Sequence, residues 1–333
     1  MSTRYPLTIL NEFFTESEYH QHIQPVHSAV ATLAEELHTP PFKTNIVMSG
    51  DLTASVNQRT RQGDFSAERI GGQVAGKTIP VTLDYGEVDV VVDMGLMTST
   101  PGATESAMFI YLLAHELGHA VLGRQRATSG ATPSCRRGEP AGMAGLYGLE
   151  AMDEWRCDHL ADLVLGAYAS LDVDGVRQPA RYGLIVPSDL TTELGHTIDE
   201  FVYPAWPDLV WSYRTGKISL EQMWETLQTQ TSQVFKFIAH TEARARSAGH
   251  LSPISQVAGN RGADLYLHPA WATMMEAAEA QPILADQDEF QSNQSELLTA
   301  CRTALSEMWA TLGITGRQLP DGSLYLDVTN PAW

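Results

Sequence analysis

Cysteine, long apolar runs and positive charge are all scarce in this sequence. The 333 residues include three cysteines, Cys135, Cys157 and Cys301, which are widely spaced and form no CxxC pair. An odd, scattered set of cysteines predicts neither a disulfide framework nor a cysteine-rich zinc site, and it favours a reducing compartment. The longest nearly apolar runs, such as residues 107–114, are far shorter than the roughly 20 apolar residues of a membrane-spanning helix. We therefore expect no membrane segment.

The chain is strongly acidic. It has 21 lysines and arginines against 40 aspartates and glutamates, which gives a formal net charge of −19. Such a surface repels phosphate backbones and anionic lipid, so we expect protein, peptide or small-molecule partners rather than nucleic acid or membranes. Residues 1–14 contain Arg4, Asn11 and Glu12 where a secretory signal needs an unbroken apolar stretch. The expected location is therefore cytoplasmic.

Residue patterns in the first half of the chain predict helices mixed with a small sheet. Thr15 and Glu18 have the spacing of a capping box, which predicts a helix at 15–37. Short β-branched stretches bounded by turn residues predict three strands. These strands are expected at 44–48, 78–83 and 87–94.

Apolar residues at steps of three and four predict a helix at 104–122, ended by Gly123, and another at 149–170. The Gly-, Ser- and Pro-rich residues 124–148 are expected to form a long loop between them.

The rest of the chain is predicted to be mostly helical. Ser219 and Gln222 form a second capping-box signature. A further helix is expected from an apolar stripe that Gly313 closes, formed by Leu298, Cys301, Leu305, Met308 and Leu312. The Gly-containing residues 247–269 are expected to be a linker or long loop. The predicted architecture is thus an α+β domain at 1–185 and a helical C-terminal region at 186–333.

The most informative motif is HELGH at 115–119, an HExxH pattern. Residues four apart lie on one face of a helix, so the imidazoles of His115 and His119 can reach one metal ion while Glu116 serves as a base. The flanking residues are apolar, which predicts a buried helix rather than a solvated one. Zinc is the expected metal, with one coordination position left for water. The alternative is a pair of core histidines satisfied by hydrogen bonds.

A third ligand is expected from the helix at 149–170. Glu154 and Asp158 lie on one stripe, so a ligand at Glu154 has a second carboxylate one turn along. That second carboxylate can hydrogen-bond the outer nitrogen of a ligating histidine and fix its tautomer. Asp158 and Glu150 remain alternative ligands. Cys157 is expected to be a small buried residue rather than a soft ligand.

HELGH followed by Glu154, Cys157 and Asp158 in the segment EWRCD resembles the HExxH plus ExxxD arrangement of gluzincin-type zinc metallopeptidases. It is similar to HtpX-type peptidases and to the ImmA/IrrE family, over residues 85–170 at most. The resemblance implies a zincin-like catalytic domain, a small sheet packed on the active-site helix and on the helix of the third glutamate. It also implies that Glu154 is the third metal ligand and that Asp158 supports the ligands without binding the metal itself. The strand at Glu87–Asp93 would correspond to the substrate-pairing edge strand of zincins.

The expected chemistry is peptide hydrolysis. Zinc held by His115, His119 and Glu154 would polarise water, and Glu116 would accept its proton and pass it to the leaving amine. The oxyanion would be stabilised by a residue that the sequence leaves open, with Tyr168, Tyr182, His196 and His240 as candidates. Two other functions remain open, a non-catalytic zinc-stabilised regulatory module that binds a partner and a hydrolase of small amides.

Overall fold

The structure of the chain is a computed structural model. It describes residues 6–13, 15–16, 27, 42–95, 103–131, 139–173, 175–185, 189–282, 287–319, 321 and 323–329. The helix expected at 15–37 lies outside the described residues except for 15, 16 and 27. No helix in the described part of the chain is long and apolar enough to cross a membrane.

Contacts between Cα atoms divide the chain into two units. The first comprises Met1–Ala131, Arg156–Ser188 and Ser247–Gly249, and the second comprises Thr132–Trp155, Asp189–Arg246 and His250–Trp333. The change of unit after Ser188 lies close to the boundary expected after residue 185, whereas residues 132–155 group with the C-terminal region. The mixture of a small sheet with many helices confirms the α+β class.

The first unit contains a mixed sheet, two short hairpins and the helices that surround them. Its strands are β1 (Leu7–Asn11), β2 (Lys43–Ser49), β3 (Glu68–Arg69), β4 (Gly72–Gln73), β5 (Gly76–Pro80), β6 (Glu87–Asp93), β7 (Ser170–Val173) and β8 (Val176–Pro179). Its helices are α1 (Leu52–Thr60), α2 (Ala103–Ser129), part of α3 (Pro140–Tyr168) and α4 (Tyr182–Ile185). The three strands expected from the sequence are confirmed as β2, β5 and β6.

The four-stranded sheet has the order β1-β2-β6-β5. β1 and β6 pair in parallel with β2, and β5 pairs antiparallel with β6. The expectation that Glu87–Asp93 is an edge strand is wrong, because β6 lies between two partners and its residues Val90, Val91 and Val92 are fully buried. Three consecutive buried valines are typical of a strand that is covered on both faces. The edge beside α2 is formed by β5 instead.

Helices α2 and α3 are both longer than the sequence pattern indicates. Gly123 does not end α2, which continues to Ser129. A Cβ atom built at Gly123 would lie 2.3 Å from the ring of Tyr85, so this glycine permits close packing instead of capping the helix. The loop expected at 124–148 is wrong for 124–129 and 140–148, which are helical in α2 and α3, while residues 132–138 lie outside the described residues.

The second unit is almost entirely helical. Its helices are α5 (Leu190–Phe201), α6 (Ala205–Arg214), α7 (Leu220–Ser247), α8 (Pro253–Gln256), α9 (His268–Glu279) and α10 (Gln287–Thr311), and only the last residue of α7, Ser247, groups with the first unit. The second unit also contains the first half of α3, a π-helical segment (Ala263–Leu267) and a hairpin of β9 (Ile314–Gln318) with β10 (Leu324–Val328). The linker expected at 247–269 is thus partly helical.

Two sequence patterns in the second unit, a capping box and an apolar stripe, correctly predicted helices. The capping box before α7 is confirmed, because the backbone N–H of Ser219 donates to Gln222 Oε1 over 3.0 Å and the backbone N–H of Gln222 donates to Ser219 Oγ over 3.1 Å. The apolar stripe of α10 is also confirmed, since Cys301, Leu305 and Leu312 are fully buried.

The two helical glycines Gly148 and Gly195 provide a matched test of packing in the second unit. A Cβ at Gly148 would lie 2.6 Å from Cys301 Cβ and 2.9 Å from Met274 Sδ, whereas the atom nearest to a Cβ at Gly195 is Val257 Cγ1 at 3.9 Å. We expect Gly148→Ala to lower the free energy of unfolding by about 1–3 kcal/mol through overpacking. Gly195→Ala should raise it by up to about 1 kcal/mol. Urea unfolding followed by circular dichroism measures both, and equal effects of the two substitutions would contradict the packing described.

Candidate metal centre

Two histidine side chains of α2 point their Nε2 nitrogens at each other. His115 Nε2 and His119 Nε2 are 3.2 Å apart, and the two rings are inclined at 79°. The four-residue spacing brings the rings together on one helix face, and α2 places His115 in the protein interior between buried Leu113, Ala114 and Leu117. A shared metal ion and a hydrogen bond between the rings are both compatible with this separation.

Asp158 fixes the orientation of His115. Its Oδ1 lies 2.7 Å from His115 Nδ1, in a buried ion pair or hydrogen bond. When Nδ1 carries the proton and donates it to this carboxylate, the lone pair of Nε2 faces His119 and is available to a metal. The sequence-based expectation that Asp158 contacts the outer nitrogen of a histidine is therefore matched by its position.

Close packing of two small residues holds this pair of helices together. A Cβ at Gly118 would lie 3.1 Å from Cys157 Sγ and 3.3 Å from Cys157 Cα. Cys157 is fully buried. Its position against the backbone of α2 is that of the small packing residue that the sequence analysis expected.

Glu154 completes a group of three potential ligands. Its carboxylate and the imidazoles of His115 and His119 provide ligand atoms that all lie within 4.8 Å of one another. Glu150, an alternative in the sequence analysis, instead pairs with Lys236 Nζ over 2.8 Å. Asp158, the other alternative, is engaged by His115. Of these three acidic residues on α3, Glu154 is thus the one whose carboxylate forms a potential ligand group with both histidines.

The candidate base Glu116 is held by the edge strand β5. Thr78 Oγ1 is 2.8 Å from Glu116 Oε2 and 2.6 Å from the Glu116 carbonyl oxygen, so the hydroxyl can donate to either. A Cβ at Gly76 would lie 2.8 Å from Glu116 Cγ, which means that the strand backbone packs directly on this side chain. Sequence reasoning missed both residues, because their contact with Glu116 spans about forty positions of the chain.

A second carboxylate and a tyrosine extend the network behind Asp158. Tyr111 donates a hydrogen bond to Asp158, and its ring stacks on Tyr182 with centroids 4.2 Å apart. Burial, together with the negative charges of Asp158 and Asp162, raises the pKa of Tyr111 well above its ordinary value. Tyr111 is therefore a neutral hydrogen-bond donor at physiological pH. Its helical spacing was visible in the sequence, but its partner was not.

Asp162 lies one turn beyond Asp158 on α3. Burial raises its pKa to about 6, although hydrogen bonds from Ser247 and the backbone of Tyr182 and the charge of Arg181 act in the opposite direction. The Tyr182 N–H donates to Asp162 Oδ1 over 2.8 Å. This acid is consequently partly protonated near pH 6.

The donor set fits a zinc ion. Two imidazole nitrogens bound at about 2.0–2.1 Å to one tetrahedral zinc are roughly 3.4 Å apart, close to the separation of the two Nε2 atoms here. Two histidines and one carboxylate also match the ligands of hydrolytic zinc sites, which leave one position open. The hydrogen bond from His115 to Asp158 supplies the outer contact that such histidines generally have.

No protein-family model, curated protein or solved structure matches this chain. The interpretation of the site therefore depends on its geometry alone.

The four candidates for oxyanion stabilisation lie in different settings. His240 Nε2 on α7 is 3.8 Å from Glu154 Oε2, and both residues belong to the second unit. Tyr182 is occupied in the stack with Tyr111. Tyr168 and His196 are exposed. His240 is thus the candidate whose proximity to Glu154 is observed.

Tyr111→Phe tests whether the network behind Asp158 tunes the site. The substitution removes one donor to Asp158 and keeps the stack on Tyr182, so Asp158 should hold His115 less firmly. We expect zinc affinity to fall about 10-fold. Competition with a chromophoric chelator measures this affinity, and Tyr168→Phe at an exposed position is the control. A zinc affinity equal to that of the unsubstituted protein would contradict the role assigned to Tyr111.

Asp162 makes a specific contribution to the pH dependence of stability. Its pKa is about 6 in the folded chain against an ordinary value of 3.8, so between these values the folded state binds more protons than the unfolded state. The free energy of unfolding should therefore fall as the pH rises from about 4 to 6. The full penalty at pH 7 is about 3 kcal/mol.

Asp162→Asn should remove this penalty and flatten the dependence between about pH 4 and 6. Urea unfolding of EDTA-treated protein across this range measures the effect. The exposed residue Asp64 serves as the control, since Asp64→Asn should leave the profile as it is. An unchanged profile for Asp162→Asn would show that another group dominates.

Proposed function

We propose that this chain is a zinc-dependent metallopeptidase of gluzincin type, which hydrolyses peptide bonds of a protein substrate. The single observation that carries the proposal is the convergence of His115, His119 and Glu154 to within 4.8 Å. In sequence these residues are an HExxH pair and a carboxylate from a later helix, and in space they form a donor set suited to hydrolytic zinc. The proposal includes a zincin-like catalytic domain, formed by the sheet with α2 and α3.

Each residue around the site has a role in the proposed reaction. His115, His119 and Glu154 would hold zinc, which supplies Lewis acidity when bound. Glu116 accepts a proton from the attacking water and later donates it to the leaving nitrogen, as a general base and then a general acid. Thr78 keeps the Glu116 carboxylate in place through its hydroxyl. Asp158 holds the tautomer of His115 that exposes Nε2.

The edge strand β5 favours an extended peptide as substrate. It is the terminal strand of the four-stranded sheet, and it packs on Glu116 through Gly76 and Thr78. A peptide added to a strand edge gains main-chain hydrogen bonds, which a small amide cannot make in the same number. A peptide substrate beside β5 would thus have its backbone close to the base.

The chemistry of the chain is consistent with a reducing, cytoplasmic setting. Cys157 and Cys301 are both buried, and they belong to different units, so they do not suggest a disulfide framework. The formal net charge of −19 disfavours nucleic acid as a partner. We therefore propose protein or peptide partners in a reducing compartment.

Two alternatives make different demands on the same residues. A zinc-stabilised regulatory module needs the three ligands but not the base, since structural zinc requires no proton acceptor. The contacts of Thr78 with Glu116 support a base held in position and thus favour catalysis. A small-amide hydrolase needs the base but not the strand edge, and its activity should not increase with peptide length.

The decisive variants separate metal binding from turnover. Purified protein should contain about one zinc per chain. Glu116→Gln should keep that zinc and lower the rate of casein cleavage by about 10²–10⁴-fold, because the amide cannot accept the proton. His115→Ala should lose both zinc and activity. Elemental analysis and the release of casein fragments provide the two readouts.

His196→Ala is the matched control, since His196 is an exposed histidine outside the metal group. It should retain both zinc and activity. Cleavage by Glu116→Gln at the rate of the unsubstituted protein would contradict the catalytic role. Zinc without any turnover in either protein would favour the regulatory module, and turnover confined to small amides would favour the third function.

A further inference from the structure

The second unit contains a cavity that the proposed reaction does not use. It has a volume of about 560 Å³ and is lined by residues of α7, α8 and α9 and by Trp155. Cavities of about 300–1,000 Å³ are the usual size of small-molecule sites. We call it the Trp155–Trp271 cavity after its two indole side chains.

The walls of this cavity provide an apolar, aromatic surface. Trp155, Trp271 and Ile254 line it with exposed fractions of 4%, 4% and 3%, so each presents only a small part of its surface, and Ala272 and Met275 add further apolar lining. Indole rings offer large flat contact areas, and their faces attract cations. Arg246 illustrates this preference, because its guanidinium lies 5.8 Å from the ring centroid of Trp155.

A carboxylate in the cavity wall lacks a strong cationic partner. Glu242 Oε1 accepts hydrogen bonds from the Ile254 N–H over 2.7 Å and from Ser252 Oγ over 2.9 Å. Burial raises the pKa of Glu242, while these two hydrogen bonds and the charge of His268 act in the opposite direction. No lysine or arginine of the described chain forms an ion pair with it.

The charges around the cavity favour a positively charged ligand. Arg246 lies one turn beyond Glu242 but pairs with Glu279 over 2.6 Å instead. The lining thus holds the carboxylates Glu242 and Glu279, the guanidinium of Arg246 and the imidazoles of His250 and His268. With neutral imidazoles, the negative charge that no lysine or arginine pairs is on Glu242, and the partial burial of such a charge is costly unless a counter-ion joins it.

We propose that the Trp155–Trp271 cavity binds an organic amine, with its ammonium group paired to Glu242 and its apolar body against the apolar lining formed by Ile254, Ala272, Met275 and the accessible edges of the two indoles. This ligand matches both features of the wall, since a simple metal ion would make no use of the apolar lining and an anion would face Glu242. The site is separate from the proposed peptidase reaction, so it can bind ligand whether or not the chain is an enzyme.

The test uses three probes of similar shape on the full chain. 2-Phenylethylamine carries the ammonium group, 2-phenylethanol is its neutral counterpart and 3-phenylpropanoate is an anion. Isothermal titration calorimetry should show saturable binding of the amine, about tenfold or more tighter than the alcohol, and no binding of the anion. Equal affinity for amine and alcohol, or no binding of the amine at millimolar concentration, would overturn the proposal.

Two substitutions locate the binding. Glu242→Gln keeps an oxygen that can accept from Ile254 and removes the charge, so amine affinity should fall about tenfold or more. Glu225→Gln, at an exposed position on the same helix, is the control and should bind as the unsubstituted chain does. If both glutamine variants bind the amine equally well, Glu242 is not the anchor and the assignment fails.

A second variant covers the possibility that Glu242→Gln does not fold. Ala272 lies exposed in the cavity lining, and Ala272→Phe should occupy part of the cavity while keeping the Glu242 carboxylate. It should abolish amine binding, and retained binding would place the ligand elsewhere. His115→Ala should bind the amine normally, which separates failure of this proposal from failure of the peptidase proposal.

Discussion

The candidate metal centre depends on the close approach of α2 and α3. Gly118 has no side chain and Cys157 has a small one, so the backbones come near enough for Asp158 to reach His115. A larger residue at Gly118 would collide with Cys157 and push the helices apart. The acidic residues of α3 then lose their position relative to the histidines, and with it the donor set.

Polar contacts from two different elements orient the chemical groups of α2. Asp158 on α3 contacts Nδ1 of His115, and the hydroxyl of Thr78 on β5 lies within hydrogen-bond distance of both the carboxylate and the carbonyl oxygen of Glu116. Neighbouring residues on one helix are thereby fixed by two different elements, which limits the rotamers available to each. The partly buried acid Asp162, with its raised pKa, lies one turn from Asp158, and groups with shifted pKa values are common around functional sites.

Much of this arrangement could be predicted from local sequence. HELGH indicated the two histidines and the candidate base, and the stripe on α3 indicated Glu154 and Asp158, because helical periodicity alone determines which residues share a face. The capping box at Ser219 also depends only on neighbours in the chain.

The errors arose where distant residues decide the outcome. Gly123 has the residue type of a helix end, but the ring of Tyr85 packs on it within a continuing helix. The order of the strands likewise depends on pairing between distant segments, so β6 was expected at the edge that β5 occupies. Thr78 and Tyr111 carry no local signature, since their importance derives from partners far away in sequence.

The contact between Thr78 and Glu116 links two events of the proposed reaction. A peptide that adds to β5 would stiffen the same strand that carries Thr78, and the hydroxyl would then hold the Glu116 carboxylate in a narrower range of orientations. Occupancy of the strand and alignment of the base would reinforce each other, because thermodynamic linkage works in both directions. Short ligands that leave β5 unpaired would then meet a less ordered base, and selectivity for long peptides would be built into the turnover step itself.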